Sequence, residues 1–233
     1  MASTLRVLNV AALVVSLVLT GLSVAEFHLT GHAFKTMATY FPNTDYVWFG
    51  ARKPQFSSDY YSVRLAYDWS NENFVLASAG VSIAAGVLGM LAFIATRRTP
   101  SKWWSTSTLS FSLLSFAISL LSFLRNTLTN ASYVKQRTCD PSTVPDPNFL
   151  FTCTRELAAC NLLESLIEHD FAERKSACQQ TRNARWLLVP LLSTAAVLFT
   201  LVAVKLCVER KTVQQSRKSA DLRVKTLRDM EEL

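Results

Sequence analysis

The chain has 233 residues, of which 50% are hydrophobic, and it carries 24 Lys and Arg against 17 Asp and Glu. A chain of this length and apolar content has no room for a large soluble domain. A basic excess is also found in nucleic-acid-binding proteins. Here it lies beside apolar segments, where it reports membrane orientation, so we expect no nucleic acid as a partner.

Four apolar stretches are each long enough to cross a bilayer. A hydrocarbon core about 30 Å thick needs about 20 residues of α-helix. Apart from Lys205 near one end, the stretches contain no Asp, Glu, Lys or Arg, and they cover residues 7–25, 74–96, 103–124 and 186–207. They predict an all-α membrane protein, a four-helix bundle over residues 1–208. Two exterior loops, 26–73 and 125–185, and a basic tail, 209–233, complete the chain.

The distribution of basic residues predicts the orientation. Arg6 precedes span one, and Arg97, Arg98 and Lys102 lie between spans two and three without any acid. The tail adds seven bases against five acids, whereas the two long loops are near neutral. Because Lys and Arg accumulate on the cytoplasmic side, we expect both termini in the cytoplasm and both loops outside or in a lumen. Either the plasma membrane or a secretory-pathway membrane of a eukaryotic cell fits this arrangement.

Span one has a second interpretation as a signal peptide. It follows Arg6 and ends in Ser23-Val24-Ala25, which is similar to a small-residue cleavage site. A signal peptide has an apolar run of about 7–15 residues, and this run is longer. The sequence therefore favours an uncleaved anchor.

The first exterior loop combines two histidines with many aromatic residues. His28 and His32 are four residues apart, a helical spacing that can present two imidazoles to a metal, but two ligands are too few for a site. Aromatic residues recur from residue 36 to residue 69. They predict short strands or turns that pack on the second loop and form a small exterior cap.

Span three carries a regular stripe of hydroxyl side chains. The stripe repeats at alternating intervals of three and four residues and consists of Ser105, Thr108, Ser112, Ser115, Ser119 and Ser122. Small residues let helices approach closely in lipid, so the stripe predicts packing against span two or four, with Phe116 facing away. In span two, Ser82 and Gly86 belong to the expected groove for the stripe. The alternative is a polar pore lined by these hydroxyls.

Four of the five cysteines lie in the second exterior loop: Cys139, Cys153, Cys160 and Cys178. Their clustering predicts two disulfides in an oxidising compartment. Residues 154–167 are predicted to be helical, which would place Cys153 and Cys160 about 10 Å apart, beyond disulfide reach. If the helix turns back around residues 168–170, Cys160 meets Cys178 and Cys139 pairs with Cys153. The pairing of Cys139 with Cys160 and Cys153 with Cys178 stays open.

Two positions are candidates for covalent modification. Asn130 begins an Asn-Ala-Ser sequon on the exterior side and is a glycosylation candidate, although it lies only six residues beyond span three. Cys207 stands at the cytoplasmic edge of span four beside basic residues, where S-palmitoylation is plausible.

The layout resembles that of the tetraspanins, claudins, MARVEL proteins and fungal Sur7-like proteins. The resemblance covers the order of spans and loops and no motif. The tetraspanin Cys-Cys-Gly is absent, since Thr154 follows Cys153 and Asn161 follows Cys160. The first exterior loop lacks the cysteine pair of the claudins. No functional residue is transferred from these families.

No span interior contains the ionisable residues that proton relays and coupled transporters place at membrane depth. The sequence therefore favours a non-enzymatic membrane protein, without cofactor, that organises other membrane proteins, copies of itself or lipids through its cap and tail. The alternatives are a membrane-embedded enzyme or accessory subunit with a site between spans and cap, and a small channel lined by the hydroxyl stripe.

Overall fold

The computed structural model describes residues 2–48, 61–98, 102–140, 150–166 and 172–231. Four long helices contain the four predicted spans, which confirms the four-span helical fold. They are α1 (Ala2–Tyr40), α2 (Ser70–Arg98), α3 (Lys102–Gln136) and α6 (Ala172–Glu231). Each is longer than its apolar stretch, so the helices continue beyond the bilayer. The aromatic segment that we expected to begin at residue 36 therefore begins inside α1.

The four helices form a closed ring. α1 packs on α2 and α6, and α3 packs on the same two helices. The apolar centre of the ring includes Leu19, Ala85, Leu191 and Leu198. Because α1 runs without a break through position 25 and buries Leu19 completely, span one is an integral part of the bundle. The uncleaved anchor stays a prediction.

The exterior cap is a three-stranded sheet packed on three short helical turns. The strands are β1 (Asp45–Trp48), β2 (Tyr61–Tyr67) and β3 (Leu150–Cys153), in the order β1-β2-β3. β1 is antiparallel to β2, and β3 is parallel to β2 with Leu65 opposite Phe151. α4 (Arg155–Leu157), a π-helical turn (Ala158–Leu162) and α5 (Leu163–Leu166) follow β3. Phe151 and Leu65 are fully buried in this second core.

The two predicted disulfides are confirmed as Cys139–Cys153 and Cys160–Cys178. The first joins the turn after α3 to β3. The second joins the π-helical turn to the outer part of α6, with the two Cα atoms 4.8 Å apart. The expected turn at residues 168–170 lies outside the described residues. The second disulfide therefore links the cap covalently to a bundle helix, and the first links it to the segment that leaves α3.

The hydroxyl stripe of α3 lies against α2. Ser115 Oγ is 2.7 Å from Ser82 Oγ, and Ser119 Oγ is 2.8 Å from Ser78 Oγ. Ser112 is also fully buried. Hydroxyl pairs of this kind contribute about 0.6 kcal/mol each between membrane helices. The expectation for Phe116 was wrong, because its ring is half-buried beside the apolar centre of the bundle.

Gly86 packs on α1 rather than on α3. A Cβ atom at this position would lie 2.9 Å from the backbone oxygen of Ser16 and would collide with Thr20 Oγ1. Helical geometry explains the difference from the expected groove. Eight residues advance an α-helix by about 80° beyond two full turns, so Gly86 has rotated away from the face of Ser78. α2 therefore presents hydroxyls to α3 and a glycine to α1.

We predict that Gly86→Ala lowers the stability of the protein in mild detergent by about 1–3 kcal/mol, because the added methyl group forces α1 and α2 apart. The matched control is Gly80→Ala, since a Cβ at Gly80 meets nothing within 4 Å. It should be neutral or stabilising by up to about 1 kcal/mol through helix propensity. Thermal unfolding of both variants measures the difference. Equal effects would contradict the close approach.

Candidate functional site at the junction of cap and bundle

Arg155 lies at the centre of the junction between the cap and the outer end of the bundle. Its side chain is 3% exposed, and Nη1 is 3.3 Å from Glu72 Oε2 in the first turn of α2. The guanidinium carbon lies 4.0 Å from the ring centre of Phe34 in α1 and 4.7 Å from that of Trp69. Cation–π contacts of a desolvated Arg contribute about 2 kcal/mol. One side chain of the cap therefore contacts two helix ends of the bundle.

Thr154 sets the direction in which Arg155 points. It is the N-cap of α4, and its Oγ1 accepts a hydrogen bond from Leu157 N and donates one to Asn130 Oδ1 at 2.8 Å. An N-cap residue fixes where the helix begins. Because β3 ends one residue earlier at Cys153, which is held by a disulfide, Arg155 follows two fixed points of the cap.

A second ion pair lies beside the first. Arg185 Nη1 in α6 is 3.0 Å from Glu156 Oε1, and Asn130 Nδ2 donates to Glu156 Oε2 at 3.1 Å. Burial raises the pKa of Glu156, and the Arg185 guanidinium opposes that shift. α3, α4 and α6 therefore meet at one carboxylate.

Asp68 joins the cap to the start of α2. Its Oδ1 accepts hydrogen bonds from the backbone N and the Oγ of Ser70, and its Oδ2 accepts one from Tyr133. Burial alone would raise the pKa of the Asp68 carboxyl, but these hydrogen bonds outweigh it and hold the pKa below its usual value. Its backbone N also donates to Cys153 O at 2.9 Å. The loop between β2 and α2 is therefore hydrogen-bonded to both β3 and α3.

A polar cavity of about 50 Å³ lies under Arg155. Residues of α1, α2, α3, α4 and α6 line this cavity. The polar side chains that line it are Thr30, Asn71, Glu72, Asn126, Thr154, Arg155, Glu156, Thr181 and Arg185. Small-molecule sites usually measure about 300–1,000 Å³. This cavity therefore has room for a few heavy atoms and not for a metabolite.

The two histidines of α1 stack on each other beside α6. The rings of His28 and His32 are 6.2 Å apart, and His32 Nδ1 is 2.9 Å from Gln180 Oε1 of α6. In the described ranges no three His, Cys, Asp or Glu side chains are grouped as a metal site requires.

Asn130, the glycosylation candidate, belongs to the junction. The residue is 6% exposed, and its Nδ2 donates hydrogen bonds to Asn126 Oδ1 and Glu156 Oε2. Its glycosylation stays a prediction. Cys207 is exposed on α6 and free of disulfides, so its palmitoylation stays a prediction.

Sequence reasoning missed the residues of the junction. Asn71 and Glu72 are adjacent at the start of α2, but Arg155 lies far along the chain, and no spacing marks it as their neighbour. Glu26 of α1 is fully buried and accepts a hydrogen bond from Thr30 Oγ1. One signal was present, since Asp68 and Ser70 form a typical helix start before span two.

No family model, no curated protein and no solved structure matches this chain.

We predict that Arg155→Met destabilises the protein by about 3–5 kcal/mol, because it leaves the Glu72 carboxylate without its partner. Glu72→Gln should recover a part of that loss in the double variant. Denaturation of the two single variants and the double variant in detergent gives the coupling free energy. Strictly additive effects would show that the pair is not an energetic unit.

Proposed function

We propose that this chain is a non-enzymatic four-span membrane protein that organises partner proteins or lipids through its exterior cap and its basic tail. The observation that carries the proposal is the continuity of α6. This helix holds Cys178 of the cap disulfide near its outer end, passes through the bundle and continues to Glu231. One helix therefore connects the disulfide of the cap to the tail.

The tail is a direct continuation of the span-four helix. α6 continues without a break for 26 residues beyond Lys205, from residue 206 to residue 231. That length corresponds to about 39 Å of helix. With seven bases in this part of the chain, the tail has the charge to bind anionic lipids or acidic segments of other membrane proteins.

The proposed orientation places the tail in the cytoplasm and the cap outside the cell or in a secretory lumen. The bases next to the span ends support the cytoplasmic position of both termini. The two disulfides support an oxidising compartment for the cap. The plasma membrane and the secretory-pathway membranes both meet these conditions.

The alternatives receive less support from the described residues. A channel along the hydroxyl stripe would need wetted hydroxyls, but Ser115 and Ser119 bind hydroxyls of α2. A catalytic site in the cavity under Arg155 would need more than its 50 Å³. An accessory subunit stays compatible with the proposal, since it too acts by binding a partner.

A photo-crosslinking residue at Val47 on β1 or at Val213 on the tail tests the proposal in native membranes. Both side chains are exposed. The expected result is a discrete protein adduct from each position. The matched control is Leu121, a lipid-facing residue of α3 with 57% exposure, which should yield lipid adducts only.

The crosslinking result would contradict the proposal if Val47 and Val213 gave no protein adduct above the Leu121 control. Ion flux or substrate turnover by the purified protein in liposomes would also contradict it, because an organising protein needs neither.

A further inference from the structure

Asn71 is a buried amide that has no hydrogen-bond partner in the described part of the chain. The residue is 6% exposed, and both Oδ1 and Nδ2 lack a partner there. Nε of Arg155 is in the same situation. A buried amide without partners is strongly destabilising, which is why nearly all such groups are bonded to protein or to ordered water. The acceptor Asn71 Oδ1 and the donors Asn71 Nδ2 and Arg155 Nε therefore all need hydrogen-bond partners, and they lie close together.

The cavity beside Asn71 selects a neutral ligand. It is lined by two acids and two bases that form pairs, Glu72 with Arg155 and Glu156 with Arg185. An anion in the cavity would meet the carboxylates and a cation would meet the guanidinium groups. A ligand that both donates and accepts hydrogen bonds, and carries no charge, matches the wall.

The size of the cavity selects water among such ligands. A bound water needs about 10–15 Å³ of the space that a water-sized probe can occupy, together with two to four polar partners. The cavity has about 50 Å³. It therefore has room for about three to five water molecules.

We infer that the cavity under Arg155 is a water-binding site whose waters connect Asn71 of α2 with the ion pairs of the cap. The waters satisfy the amide of Asn71 and Nε of Arg155, and so complete the hydrogen bonding between cap and bundle. This inference is independent of the proposed function.

Radiolytic labelling of the full-length protein in detergent tests the inference directly. A millisecond X-ray pulse makes hydroxyl radicals from bound water, while a scavenger removes those of the bulk solvent. Val75 lines the cavity and Val63 lies in the dry core of the cap, and both are buried. Oxidation of Val75 should be several-fold faster than that of Val63. Equal rates would overturn the inference.

The variant Asn71→Leu is an independent test, in which the sign of the change in melting temperature distinguishes a hydrated cavity from a dry one. Leucine displaces the waters and leaves Arg155 Nε unsatisfied, so a hydrated site predicts a melting temperature lower by about 2–4 °C for a chain of this size. In a dry site the same change removes an unsatisfied amide, and the melting temperature should rise. A rise would overturn the inference even if the variant proved hard to label.

Discussion

The cap stays on the bundle because one guanidinium group is buried between them. Arg155 belongs to the cap, and its contacts are Glu72 at the start of α2, Phe34 in α1 and Trp69. Burying a charge is unfavourable unless it is paired, so the junction has a single good arrangement. The disulfides Cys139–Cys153 and Cys160–Cys178 restrict the cap covalently. The pair of Glu156 with Arg185 and the hydrogen bond from Thr154 to Asn130 lie beside the Arg155 contacts and act with them.

This arrangement follows from the length of the helices. All four helices extend beyond the hydrocarbon layer, and their outer turns carry polar residues that lipid would not accept. Thr30, Asn71 and Asn126 can therefore point into the protein at a level where the cap covers them. The bundle below is closed by small residues, with Gly86 against α1 and Ser82 against α3. A polar junction thus lies on top of a dry, closely packed bundle.

Much of the fold could be predicted from the sequence because its determinants are local. Span length follows from bilayer thickness, and the rise per residue of a helix excluded Cys153–Cys160. The spacing of Ser112, Ser115 and Ser119 follows one helix face, which the structure places against α2. The face of Gly86 could not be obtained by the same reasoning, because a small error in helix rotation grows over eight residues.

The candidate site could not be predicted, since its residues are distant in sequence and individually ordinary. Arg155 lies far along the chain from the neighbours Asn71 and Glu72, and Asn130 was marked only as a glycosylation candidate. Only the folded arrangement of β3 and Thr154 brings them together. Long-range burial, unlike periodicity, leaves no mark in a single sequence.

The distance between cap and bundle tests most directly whether Arg155 holds the cap in place. Spin labels at Phe27→Cys on α1 and Val47→Cys on β1, with Cys207→Ser, report it by double electron–electron resonance; both labelled side chains are exposed. We expect one narrow distance distribution, which becomes broad when Arg155→Met is added. A broad distribution in the protein with native Arg155, or an equally narrow one without Arg155, would contradict the claim that this side chain holds the cap in place.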